Sequence, residues 1–148
     1  MNTVNEWFVF SQGLKKGTCD KIRKSASKEW ESSSVDIRKG TSDEERVSGR
    51  KTDMAVDSKV RISDVAWCND QWLYDTIWPW MLEANDKAGW KYDITSAESS
   101  QITRYRKGGF YTWHRDGTNC HMSKFDYPEN PFYHEKVRKL SMTVLLND

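Results

Sequence analysis

Apolar residues along this chain come in short bursts whose period changes once. Cys19, Ile22, Ala26 and Trp30 recur at helical spacing. This predicts an amphipathic helix over 19–30, opened by Thr18 as N-cap and packed on a sheet. Trp72, Leu73, Ile77, Trp80, Met81 and Ala84 repeat that spacing. They predict a second helix, capped by Asn69, kinked or restarted at Pro79 and ended across 85–89. Residues 7–10 suit a short strand, and Val60, Ile62, Val65 and Trp67 alternate loosely enough to suit another. From Trp90 onward the period is two. Trp90, Tyr92 and Ile94 alternate with polar residues, and 101–106, 110–116 and 139–146 are further strand candidates. Gly108 and Gly109 predict a turn between two of these. Residues 31–58 are poor in apolar side chains and read as a long polar loop or a ragged hairpin, and 118–131 read as a second loop. Helices followed by strands predict an α+β fold with an antiparallel sheet.

Composition narrows this picture. The hydrophobic fraction is 36%, below the ~45–50% usual for a compact domain. Eight Trp and six Tyr offset that deficit, so the predicted core rests on rings rather than aliphatic side chains. The net charge is +1, with no basic stripe of the kind that tracks a phosphate backbone, which argues against nucleic acid as the partner. Arg104, Arg106 and Lys107 form a short cluster that reads as a solvated strand end. Cys19, Cys68 and Cys120 are odd in number and lack Cys-x-x-Cys spacing, against a disulfide framework or a thiolate zinc site. Neither a basic leader nor a membrane-length apolar run is visible, so a soluble protein with reduced thiols in a cytoplasmic compartment is expected.

Candidate chemistry concentrates in residues 105–117, which read YRKGGFYTWHRDG. In a strand, side chains two apart share a face. His114 and Asp116 could then present a ring nitrogen and a carboxylate oxygen to one point, with Arg115 turned away. That supplies two corners of a facial triad of two histidines and one carboxylate, the arrangement that leaves positions open on Fe(II). His-x-Asp by itself is weak, because such pairs arise by chance. The preceding Gly-Gly turn and the following Gly117 strengthen it by placing Asp116 at a strand end.

Tyr105, Gly108, Tyr111, His114 and Asp116 together resemble the Tyr-x-x-Gly-x-x-Tyr-x-x-His-x-Asp signature of the prolyl 4-hydroxylase-like branch of the iron(II)- and 2-oxoglutarate-dependent oxygenases. Residues 10–22, 61–67, 90–94 and 138–148, with the Trp72 helix and Ala84-Asn85, also resemble segments of that family's viral and bacterial members. The resemblance implies helices packed on part of a double-stranded β-helix, or jelly roll. Residues 1–95 would form the helical support, with 31–58 as its polar loop, and 96–148 the first jelly-roll strands of a single oxygenase domain. His114 and Asp116 would be iron ligands. Tyr105, Thr143 and Leu145 would contact 2-oxoglutarate or line its pocket. Tyr111 would lie at the substrate mouth, although strict alternation turns it away from His114. The implied activity is a dioxygenase reaction that uses O2 and 2-oxoglutarate, with ascorbate maintaining Fe(II), to hydroxylate a C–H bond, peptidyl proline in this branch.

In one respect the chain departs from the pattern. The family's second histidine ligand, and the Lys or Arg that pairs with the far carboxylate of 2-oxoglutarate, would follow residue 148. His121 and His134 match neither position and read as loop residues. The expectation is therefore a C-terminally truncated oxygenase, inactive as residues 1–148 alone. Alternatives from the same residues are a sibling oxygenase acting on a small molecule or nucleobase, a zinc hydrolase lacking a visible third ligand, and a non-catalytic fragment or interaction module.

Overall fold

The computed structural model describes residues 5–26, 30–36, 54–114, 124–125 and 128–147, with the backbone alone at 35, 36, 54 and 55. In chain order the elements are α1 (Lys16–Ser25), β1 (Glu31–Ser32), β2 (Val35–Asp36), β3 (Met54–Ala55), β4 (Arg61–Ile62), β5 (Asp64–Cys68), α2 (Gln71–Lys87), β6 (Ser100–Arg104) and β7 (Phe110–Tyr111). Helix and sheet are both present and the β1-β5, β2-β3 and β4-β7 pairs are antiparallel, so the chain is mixed α and β, compatible with α+β. The strands form a three-stranded sheet in the order β1-β5-β6 and two two-stranded pairs, β2-β3 and β4-β7.

Two compact units divide the chain. The first holds residues 1–30, 66–102 and 142–148, and the second 31–65 and 103–141.

In the first unit Ile22, Ala26, Ala66, Cys68, Leu73 and Ile102 form a buried cluster, with Leu14, Trp30, Trp72, Ile77 and Leu146 packed against it. Helix α1 begins three residues earlier than its apolar spacing predicts. Lys15 is the extended N-cap, and the amides of Thr18 and Cys19 donate to its carbonyl. The hydroxyl of Thr18 is therefore not the cap, because the backbone itself closes the first turn. The helix also ends at Ser25 rather than at Trp30. Ile22 and Ala26 still face the core.

Helix α2 is one uninterrupted element through Pro79. Its N-cap is Asp70, one residue beyond the expected Asn69, and Asp70 Oδ2 accepts from the Trp72 indole at 3.0 Å. At the other end the buried Asn85 mimics a backbone pairing. Its amide donates to the Tyr92 carbonyl at 2.9 Å and its Oδ1 accepts from the Tyr92 N–H at 3.0 Å. Gly89, at φ 79°, supplies the left-handed residue that ends the helix.

Four expected strands differ. Residues 7–10, 90–94 and 139–146 belong to no sheet, and β7 stops at Tyr111 instead of running to 116. Alternation decides which side chains turn inward. It does not provide the second backbone, in register, that makes an extended segment a strand. The strand expected over 60–67 is present as β4 and β5, with Val60 in the preceding turn and a break at Ser63. Antiparallel pairing of Val35 with Ala55 and Asp36 with Met54 gives the polar region 31–58 a hairpin-like closure. No helix among the described residues is long and apolar enough to cross a membrane.

Candidate functional site

The glycine turn predicted at 108–109 is present and sets up the site in the second unit. Gly108 adopts φ 82° and the Gly109 amide donates to the Arg106 carbonyl at 2.7 Å. The reversed chain then pairs β7 with β4, placing Tyr111 opposite Arg61 and Phe110 opposite Ile62. Thr112 extends the pairing by donating its N–H to the Val60 carbonyl at 2.9 Å. Residues directly opposite in an antiparallel pair share a face. The Arg61 guanidinium accordingly lies over the Tyr111 ring, 4.6 Å from its centroid.

Beyond Thr112 the chain bends at Trp113. His114 is thus not on a strand, and the alternation that would turn Tyr111 away from it does not apply. The two rings stack, with centroids 3.7 Å apart and planes inclined by 21°. The His114 Nδ1 lies 2.8 Å from the Thr112 carbonyl oxygen. A carbonyl only accepts, so Nδ1 carries the hydrogen and, in the neutral ring, Nε2 carries the lone pair. Asp116 and His121 lie outside the described residues.

The cation over this stack is firmly held, and a second group of arginines lies in the same unit. Arg61 is 8% exposed, its Nε donates to Ser63 Oγ at 2.8 Å and its Nη2 donates to Thr103 Oγ1 at 3.2 Å. Arg104 and Arg106 are more than a solvated strand end, since both converge on the Asp64 carboxylate. Arg104 reaches Asp64 Oδ2 through Nη2 at 2.7 Å and Nε at 3.1 Å, and Arg106 through Nε at 2.9 Å. The hydrogen bonds from Arg104, and then those from Arg106, hold the Asp64 carboxyl below the usual carboxylate range.

The other candidate residues are distributed as follows. Tyr105, in the second unit, is about half exposed. Thr143 and Leu145 belong to the first unit, and both are exposed. His134 sits in the turn region 131–135, where its N–H donates to the Asn130 carbonyl. Cys19 and Cys68 are free thiols. Neither Arg61 nor Asp64 stood out in the sequence as a site residue. The available signal was the Arg61-x-Ser63 spacing, which puts a cation and a hydroxyl on one face of a strand.

Among the described residues no group of three or more His, Cys, Asp or Glu side chains gathers at one point. Comparison with protein-family models, with curated proteins and with solved structures finds no match.

Proposed function

We propose that this chain provides His114 and Asp116 as iron ligands in an iron(II)- and 2-oxoglutarate-dependent dioxygenase with a prolyl 4-hydroxylase-like, jelly-roll type of site. The observation that carries the reading is the hydrogen bond from His114 Nδ1 to the Thr112 carbonyl. A metal-ligating histidine typically donates its second ring nitrogen to a carbonyl or carboxylate, which sets the tautomer and the ring's direction. The exposed position of His114 also suits a ligand that a metal and a co-substrate must reach. The signature from Tyr105 to Asp116 supports the same assignment.

Bound Fe(II) would couple oxidative decarboxylation of 2-oxoglutarate to hydroxylation: 2-oxoglutarate, O2 and a C–H substrate give succinate, CO2 and the alcohol. His114 would hold the metal through Nε2, and Asp116 would add a carboxylate that offsets its charge. Tyr105 would donate its hydroxyl to 2-oxoglutarate. Tyr111 would stand beside the metal ligand at the substrate mouth. A proline-containing peptide is the substrate class of the resembled branch, and ascorbate would keep the iron reduced.

Metal binding tests this reading directly. Co(II), a paramagnetic stand-in for Fe(II), is titrated into the chain while the His114 ring protons are followed by NMR. Selective broadening of those signals is expected, and Asp116→Ala should weaken it at least about tenfold by removing a ligand. Succinate formation, where it is measured, should be abolished by His114→Ala. Uniform broadening at all histidines would overturn the assignment and favour a non-catalytic interaction module.

A further inference from the structure

His114 follows a bend, outside any helix or strand, and is exposed. Such a side chain ordinarily samples several rotamers, and holding it in one costs entropy. Two contacts among the described residues hold the ring here. The Thr112 carbonyl fixes one edge through Nδ1, and the Tyr111 ring supports one face. The tyrosine is in turn held by Arg61, a cation placed over its ring directly across the β4-β7 pair. A cation that close to an aromatic face is attracted by the ring's quadrupole, more strongly when it is shielded from water.

Arg61 is itself firmly placed. Burial of a guanidinium is tolerable only where its N–H groups are satisfied. Ser63 and Thr103 accept from it, and Ser63 Oγ donates onward to Ser33 Oγ at 3.0 Å. Ser33 is buried, and its N–H donates to the Ser63 carbonyl at 3.0 Å. The chain of contacts therefore runs from a hydroxyl pair whose Ser33 member is buried, through a buried cation and an aromatic ring, to an exposed imidazole. All of these residues lie in the second unit.

We infer that Arg61 is a positioning residue for His114, fixing the plane of the imidazole through Tyr111 so that Nε2 is presented in one direction. The functional content of this inference rests on His114 being the iron ligand proposed above. The stack itself does not.

The experiment uses the whole 148-residue chain and two readouts. The first is the upfield displacement that the Tyr111 ring current gives the His114 ring protons, which is independent of metal. The second is the Co(II) dissociation constant at His114. Arg61→Met keeps bulk and removes the cation, whereas Arg61→Lys keeps a cation. Arg61→Met should lose at least about half of the ring-current displacement and weaken Co(II) binding about tenfold, the lower end for residues that orient a ligand. Arg61→Lys should restore most of both. A folded Arg61→Met protein with unchanged His114 shifts overturns the inference. If the shifts collapse while the wild-type chain binds no Co(II), the positioning stands and the iron reading alone falls. Should Arg61→Met fail to fold, Tyr111→Leu decides. Co(II) binding weakened about tenfold with Arg61 intact supports the relay, and unchanged binding overturns it.

Discussion

Gly109 shows what a single hydrogen atom in place of a side chain permits. A Cβ at this position would lie 2.9 Å from the Ile62 carbonyl oxygen and 3.0 Å from that of Arg106. Both neighbours are backbone atoms and cannot rotate aside. The Ile62 oxygen belongs to β4, the strand that aligns Arg61 with Tyr111. Gly109→Ala should therefore force β4 and β7 apart and cost about 1–3 kcal/mol, the range for overpacking a tight site. The urea midpoint should fall, and the His114 ring protons should shift toward unstacked values. Gly108→Ala meets no steric neighbour but would put a side chain at φ 82°, so about 1 kcal/mol of backbone strain is expected there. The two substitutions separate crowding from conformation: only the first should disturb His114.

Among the elements, α2 shows where sequence reading succeeds and where it stops. Its apolar period places it, and Gly89 marks its end, because core-facing spacing and a left-handed residue are local properties of the chain. Pro79 suggested a kink or restart, and the helix does not restart there. Packing of Leu73 and Ala84 on either side outweighs the hydrogen bond that proline cannot donate to Asp75. Local signals likewise predicted the turn at Gly108 and the strand over 60–67. They missed the start of α1, where the Lys15 carbonyl caps the helix in place of a side chain. They also missed the end of β7 at Tyr111, since strand length depends on how far β4 extends beside it. At the site, Tyr111 and His114 were legible as candidates, but their stacking was not, because a bend at Trp113 carries no alternation. Since Pro79 is tolerated rather than required, Pro79→Ala should stabilise the protein by about 1 kcal/mol or more. Thermal unfolding should move up by several degrees. A fall in Tm would show that the proline stabilises α2 through a contact that alanine cannot replace.

For the whole molecule, acid should be the condition that weakens the fold. Among the described residues three carboxyls, Asp20, Asp64 and Glu135, are held below their usual range by hydrogen bonds from Arg23, from Arg104 with Arg106, and from Lys124. A carboxyl whose pKa is depressed by folding binds its proton later in the native state than in the unfolded chain. Its contribution is complete above the unfolded values, about 3.9 for Asp and 4.3 for Glu, and is lost as pH falls through the native value. Stability should accordingly decline on the acid side below about pH 4. Asp64 is the informative member, since two guanidiniums converge on one of its oxygens and its side chain is the least exposed of the three. Asp64→Asn should be less stable than wild type at pH 7, where it leaves Arg104 and Arg106 facing a neutral amide. The gap should close as pH drops toward 2, because the wild-type carboxyl is then neutral too. At pH 7 it should also narrow in 1 M salt, which screens partly exposed charges. Urea midpoints for both proteins across this range provide the check. A gap that stays constant down to pH 2 would mean that Asp64 acts through shape rather than charge, and that Arg104 and Arg106 do not depend on its charge to be held in place.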